Sequence, residues 1–292
     1  MRYFIILNPN AGEGKGQKCI NLIQKLFKQA DVEFVLNVTR GQGHAIELAK
    51  NALKEKYDTI IVAGGDGTIH EVINVIGGTD VALGIIPIGF GNDFARGINI
   101  TRNVEKAVKI ILKNKIKKID LGKINNVYFI NSVGIGLDGF ILNVANSIKG
   151  NQKKIIKYIR GILKAATEFK GIKLYLEING IKLEREISIL VVGNAKYEAR
   201  GMLFNPYAEY DDGFLDVCII DKMPVFSQLF YTPFVYYGIH KNFNNNRFQI
   251  LKTKKIVGKS DILIPAHADG EEIHFSEFEI TILPSSLSLI VP

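Results

Sequence analysis

The chain has 292 residues, 47% of them apolar, and a net charge of +8. That length and apolar content fit two cored domains and exclude disorder, and the two distant cysteines, Cys19 and Cys218, exclude a disulfide framework or a cysteine zinc cluster. No apolar run reaches the roughly 20 residues of a membrane span, so a soluble chain in a reducing cytoplasm is expected, and its basic balance favours anionic partners: nucleotide, acidic lipid surface or nucleic acid.

Met1-Arg2-Tyr3-Phe4-Ile5-Ile6-Leu7 reads as a first strand, too short in its apolar part for a leader. Further strands are expected at Phe34–Val38, Thr59–Ala63 and Val81–Ile86. Between them Ile20, Ile23 and Phe27, then Ile46, Ala49 and Leu53, recur with helical period, and another helix is expected over Val104–Leu112. Such alternation predicts a doubly wound parallel sheet with helices on both faces, its ligand at the carboxyl ends of the strands. The loops there are Asn8–Gly16, Thr39–Gly43, Gly64–Thr68 and Pro87–Asp93.

Beyond about Leu121 strand-like runs dominate: Val127–Val133, Lys173–Ile178, Glu186–Val192, Phe214–Ile220, Phe248–Val257, Ile262–Ile264 and Glu279–Leu283. Helical patterns interrupt them near Lys154–Glu168 and Ser227–Gly238, and Asn242–Asn246 reads as an exposed loop. The expected architecture is an α/β nucleotide domain over 1–122, rejoined by 285–292, and a mostly antiparallel β-sandwich over 123–284. Lysines cluster at Lys113–Lys118, Lys149–Lys164 and Lys252–Lys259, each readable as a solvated face or as part of a surface for anions.

Gly64-Gly65-Asp66-Gly67-Thr68 joins a strand to a helix. Its glycines admit close approach of a ligand, and the helix N-terminus offers unpaired N–H groups to a phosphate. A carboxylate there repels phosphate unless a cation bridges them, which suggests a nucleotide with Mg²⁺. Asp66 as a simple N-cap is the alternative that the local sequence leaves open. Other fingerprints fail: Gly12-Glu13-Gly14-Lys15-Gly16 has glycine where a phosphate loop needs Ser or Thr, and His70-Glu71 has no second histidine at zinc spacing.

Six segments in order resemble the diacylglycerol kinase catalytic domain family, which includes the bacterial diacylglycerol kinases and sphingosine kinases. They are Asn8-Pro9-Asn10-Ala11-Gly12; Thr39 with Gly43-His44-Ala45; Gly64–Thr68; Pro87–Arg96; Asp211–Asp216; and Asp269-Gly270-Glu271. The resemblance implies a nucleotide domain like that of phosphofructokinase, broadly Rossmann-like, and a lipid-substrate domain. It implies ATP as co-substrate and Mg²⁺ as cofactor. Asn8, Pro9, Asn10, Ala11, Gly12, Thr39, Gly64, Gly65, Gly67, Thr68, Glu71, Gly89, Phe90, Asn92 and Asp93 would line the ATP site, Asp66 acting on the phosphates through the metal. Glu271 would be the base that takes the lipid hydroxyl proton, and Asp212 would hold a second Mg²⁺ with the carbonyls of Glu209 and Phe214.

Read without the family, Asp93 caps a helix starting at Phe94, and Asp212-Gly213 and Asp269-Gly270 are turns. One departure stands out: Phe90 replaces the Thr or Ser that follows Pro-x-Gly in the family. It could stack on the nucleotide, shift it or block it. The reading is a cytoplasmic, peripherally membrane-associated lipid kinase, with diacylglycerol as the expected acceptor, no nucleic-acid partner, and a homodimer left open. The rivals are a kinase of a sphingoid base or of a soluble acceptor such as NAD, and a non-catalytic nucleotide- or lipid-binding regulator.

Overall fold

The computed structural model describes residues 1–148, 154–243 and 247–292. Residues 149–153 of the second lysine cluster and 244–246 of the expected loop lie outside the described residues.

The first part alternates as the spacing predicts: β1 (Arg2–Leu7), α1 (Ala11–Gln29), β2 (Glu33–Val38), α2 (His44–Lys54), β3 (Thr59–Gly64), α3 (Asp66–Ile76), β4 (Ala82–Pro87), α4 (Asp93–Gly97) and α5 (Val104–Lys113). The four strands pair in parallel in the order β4-β3-β1-β2. Every residue of β3 and β4 is buried, because helices cover both faces. Ile23 and Phe27 of α1, Ala49 of α2 and Ile73 of α3 meet Ile5, Ile6, Ile60 and Val62 in one core. The helix at 104 starts where Asn103 Oδ1 accepts the Lys106 N–H at 2.9 Å, an N-cap bond.

The remaining strands and α-helices are β5 (Ile116–Ile124), β6 (Val127–Phe129), β7 (Ser132–Gly136), α6 (Leu137–Ser147), α7 (Lys154–Glu168), β8 (Ile172–Ile178), β9 (Ile181–Gly193), β10 (Leu215–Asp221), α8 (Val225–Tyr236), β11 (Phe248–Thr253), β12 (Lys255–Ala268) and β13 (Glu271–Ile290). Pairings within this part are antiparallel. Three sequence expectations change. The run at 127–133 splits into β6 and β7, and α6, which periodicity missed, follows directly. The run Phe248–Val257 is two strands, broken at Lys254.

Two long strands turn this part back on itself. One end of β9 pairs with β8 and the other with β7. β12 does the same, with a register shift between Lys259 and Ile264. Bulged strands bend, and so can pass from one layer to the next. The cycle β7-β9-β8-β12 closes around Val133, Ile135, Leu174, Leu176, Leu190, Ile256 and Ile264.

β13 is the seam of the molecule. It pairs with β12 from Glu271, then with β5, and its end runs parallel to β4 at Ser288↔Ala82 and Leu289↔Leu83. Leu287, Leu289 and Ile290 are buried in the first core. Leu289→Ala should therefore destabilise the protein by about 2–5 kcal/mol, read as a lower urea midpoint. An unchanged midpoint would remove this strand from the core.

Candidate active site

Three loops meet at the carboxyl ends of β1, β3 and β4. Asn8 Nδ2 donates to Thr68 Oγ1 at 3.1 Å, tying the first loop to the second. The N–H groups of Ile88 and Gly89 both donate to Gly64 O, at 3.0 and 3.1 Å, tying the third to the second. This contact is backbone on backbone: a methyl at Gly89 would lie 2.3 Å from Gly65 Cα. Only glycine fits there. At the start of α1, Gly12, Glu13 and Gly14 are left-handed and form a turn before the regular helix.

Of the residues expected to line the ATP site, Asn8, Pro9, Asn10, Ala11, Gly12, Gly64, Gly65, Gly67, Thr68, Gly89, Phe90, Asn92 and Asp93 belong to these three loops. Thr39, buried at the end of β2, adjoins them through its N–H bond to Leu7 O. Glu71 does something else. Its two carboxylate oxygens accept the N–H groups of Gly43 and Ala45, at 2.8 and 3.0 Å. It holds the start of α2 and is committed to backbone.

Asp66 is the first residue of α3, and Gly65 is the N-cap, so the simple capping reading falls. Asp66 Oδ2 instead accepts the Asn92 N–H at 2.7 Å, from the left-handed turn of the third loop. Asp93 likewise does not cap a helix at Phe94. It begins α4, and its Oδ2 accepts the Arg200 N–H at 2.7 Å from the second part of the chain. Asp66 Oδ1 and Asp93 Oδ1 are both buried without a hydrogen-bond partner. Burial, and then the neighbouring Asp93 charge, push the Asp66 carboxyl up to about 6. Burial also raises Asp93, while the Arg200 N–H and the charges of Arg96 and Arg102 hold it back. Two crowded carboxylates, each with an orphaned oxygen, suit a cation.

Glu271 comes from the second part and reaches this cradle. Its Oε1 lies 2.7 Å from where a methyl at Gly67 would sit, and its Oε2 accepts from Gln42 Nε2 at 3.2 Å. Ala268 and Glu271 pair across a two-residue hairpin in which Asp269 and Gly270 both have positive φ. Asp269 is thus a turn residue, and more. Its carboxylate accepts the N–H groups of Ile130, Asn131 and Ser132 at 3.0, 2.8 and 3.1 Å, and meets His70 Nδ1 of α3 at 3.1 Å. Burial pulls the His70 pKa down, but the Asp269 hydrogen bond and charge leave it raised. The pattern counted His70 only within the Gly65–Glu71 stretch expected at the ATP site, and Asp269 only as part of the Asp-Gly-Glu segment or a turn; the clasp between them was missed. The available signals were His70 one helical turn after Asp66 and Asp269 two residues before Glu271.

The proposed second cation site is arranged differently. Asp212 Oδ1 accepts the Phe214 N–H at 3.0 Å, and its Oδ2 is bonded by Lys252 Nζ. Asp216, buried, has neither oxygen hydrogen-bonded and lies 3.6 Å from the same ammonium. Burial pushes Asp216 up to about 6. Asp212 and Asp216 have the charge for a cation, with Lys252 now in that place. Lys117 and Lys255 also pair with carboxylates, so the first and third lysine clusters are partly neutralised. A further group, half-buried Asp138 with buried Glu198 and His267, clusters beside β7. His267 Nε2 lies 3.0 Å from Glu198 and 3.4 Å from Asp138. Burial opposes its protonation, yet the two carboxylates push it up to about 10.

A glycine-walled cradle with two buried carboxylates and a third carboxylate over its mouth is an arrangement suited to phosphoryl transfer. Residues 2–124 match the diacylglycerol kinase catalytic domain, and residues 131–291 match the YegS C-terminal NAD kinase beta sandwich-like domain. The chain is 32% identical over 222 residues to a diacylglycerol kinase of Bacillus subtilis (strain 168), covering 75% of this chain and 73% of that one. It is 28% identical over 306 residues to YtlR of the same organism, which carries a lipid-kinase name without a stated acceptor, covering 98% of each. A crystal structure of a diacylglycerol kinase from Bacillus anthracis str. Sterne superposes with a TM-score of 0.78 at 25% identity, covering 100% of this chain and 97% of that one. The chain belongs to the diacylglycerol kinase catalytic domain family, whose members are ATP-using phosphotransferases.

The Asp66 shift has a sign that can be measured. An unfolded Asp titrates near ~3.9, and the folded one at about 6. The folded state binds the proton more tightly, so this contribution to stability is complete below roughly pH 4 and is lost as pH rises towards 6. Asp216 adds the same sign. In ligand-free protein, Asp66→Asn should flatten part of the fall in unfolding free energy between those pH values, read by urea titration. An unaltered slope would return Asp66 to an ordinary carboxylate.

Proposed function

We propose that the protein is an ATP-dependent kinase of a membrane lipid alcohol, with diacylglycerol as acceptor and phosphatidic acid as product. The carrying observation is the Glu271 carboxylate over Gly67, beside the Asp66–Asp93 pair. It puts a proton acceptor at the mouth of a phosphate cradle, where an acceptor hydroxyl must enter. The nucleotide domain is read as Rossmann-like, resembling that of phosphofructokinase, with the phosphates at the N-terminus of α3.

Each residue then has a definite task. The N–H groups of the glycine loops bind phosphate oxygens. Asp66 and Asp93 would hold Mg²⁺, whose charge neutralises the phosphates when bound. Glu271 takes the proton from the acceptor hydroxyl as that oxygen bonds to the terminal phosphorus and the bond to the ADP oxygen breaks. Glu71 and Asn92 hold the loops that carry these groups. Asp212 and Asp216, with carbonyls of Glu209 and Phe214, would take a second Mg²⁺ in place of Lys252.

No helix among the described residues is long and apolar enough to cross a membrane. A peripheral approach is supported by exposed Ile159 and Leu163 on α7, among Lys157, Arg160 and Lys164, and by exposed Phe226 and Phe230 on the uncharged α8. Apolar side chains among basic ones suit an anionic bilayer surface.

The test offers purified protein and Mg·ATP a panel of diacylglycerol and a sphingoid base in anionic vesicles, and NAD in solution, with products read by mass. Phosphatidic acid is expected. Phosphorylated sphingoid base or NADP as the main product would reassign the acceptor. Glu271→Gln should lower kcat by about 10²–10⁴-fold with little change in nucleotide affinity. Loss of ATP binding with turnover retained would make Glu271 a nucleotide ligand.

A further inference from the structure

The loop at 198–202 is drawn tight. Glu198 and Met202 pair as an antiparallel bridge, with Glu198 N to Met202 O at 3.0 Å and Met202 N to Glu198 O at 2.8 Å. The three residues at its tip are all left-handed: Ala199 at φ 47°, Arg200 at 72° and Gly201 at 102°. Glycine adopts this backbone without strain; alanine and arginine do not. Strain of this kind persists where the surroundings enforce it, and it collects at functional sites.

The contacts made by Arg200 itself reach into the nucleotide domain. The Arg200 N–H donates to Asp93 Oδ2 at 2.7 Å, and Arg200 O accepts from Arg96 Nη1 at 3.2 Å. The guanidinium carbon sits 3.7 Å from the centre of the Phe90 ring, a cation–π contact. From the other side Arg102 Nη2 holds the Phe90 and Gly91 carbonyls at 2.9 and 2.6 Å. Among the described residues the Arg200 guanidinium makes no ion pair and no hydrogen bond, although its charge acts on the Asp93 carboxyl. The same charge is felt by Tyr158 of α7: burial raises its hydroxyl, Arg200 pulls it down, and Glu198, Glu271 and Asp138 push it up.

The residue that departs from the family pattern is therefore the seat of an arginine. A Thr or Ser at position 90 would offer one hydroxyl to the nucleotide. Phe90 offers a ring face that holds a guanidinium at the third glycine loop, close to Asp93. We propose that Arg200 is a phosphate-contacting residue of this site: its guanidinium, resting on Phe90 in the ligand-free fold, bonds the terminal phosphate of the nucleotide. A planar fork with several donors suits phosphate oxygens, and charge held there is stabilised most as the phosphoryl group transfers. Arg200 exchanges no atoms in the step. It donates hydrogen bonds while the bond to ADP breaks and the bond to the acceptor oxygen forms. The inference rests on the kinase reading above.

Binding and turnover separate the two claims. The probes are Mg·AMP-PNP, which carries a third phosphate, and Mg·ADP, which does not. Arg200→Gln should weaken AMP-PNP by about 10–100-fold and ADP far less. Turnover on diacylglycerol vesicles should fall by about 10²–10³-fold. Arg200→Gly distinguishes function from scaffolding, because glycine suits the left-handed backbone: the melting temperature should hold or rise while the preference for the third phosphate is lost. Equal affinities for both probes in wild type and Arg200→Gln, with turnover kept, overturn the proposal. So does an Arg200→Gly protein that melts lower and loses both nucleotides alike. A wild type with an Arg200-dependent preference for AMP-PNP that phosphorylates no lipid upholds Arg200 and overturns the acceptor assignment.

Discussion

The site depends on one buried carboxylate. Asp269 accepts three consecutive backbone N–H groups from the strand-free stretch ahead of β7 and its first residue, and a fourth bond comes from His70 on α3. Its side chain is 1% exposed. Ionised carboxylates with several donors hold their geometry firmly, and losing one partner of a buried charge is costly. Because Asp269 is in the turn that begins β13, this clasp fixes where Glu271 emerges. Because His70 and Gly67 share α3, it fixes Glu271 relative to the phosphate cradle. The β-rich part and the nucleotide part are thereby aligned where the proposed base and the proposed phosphate site face each other.

The rest of the site follows from how little room the loops leave. Gly65 and Gly89 touch through backbone, and the crowding carries Asp66 and Asp93 into the same pocket. Two carboxylates kept that close, and out of water, resist charging, which is why Asp66 titrates high. Asp93 and Arg200 make a second bond between the two parts, beside the first. A kinase needs positioning and charge neutralisation more than covalent chemistry. This architecture supplies the positioning with buried hydrogen bonds across a seam, and it leaves the charge for ligands to complete.

The parallel strands were legible because apolar runs of five or six residues recur between amphipathic helices, and the glycine loops fell at the ends of those strands. Asp269-Gly270 was legible as a turn because both positions need positive φ. What local pattern did not carry was long-range. Asp66 and Asp93 resemble helix caps in sequence, but their partners are Asn92 and Arg200, 26 and 107 residues away. The bonds by which Glu71 holds the start of α2 reach back to Gly43 and Ala45, and no local pattern announced them. α6 was hidden because Gly134, Gly136 and Gly139 interrupt its approach and first turn, so the segment lacks a clean helical signal. The lengths of β12 and β13 were hidden by bulges, which break the alternation of apolar and polar residues.

The most direct test of this account replaces the clasp and leaves the catalytic groups intact. Asp269→Asn keeps the size of the side chain but turns a donor towards the Ile130 N–H and His70. Single-turnover phosphorylation of the proposed acceptor, diacylglycerol, should slow by about 10²-fold or more, as expected when the proposed base is displaced by about an ångström. Mg·ATP affinity should remain within a few-fold of wild type, because Asp269 bonds neither the glycine loops nor the Asp66–Asp93 pair. A folded Asp269→Asn protein with wild-type single-turnover rate would show that Glu271 is held by something else, or that its position over Gly67 does not govern the chemistry.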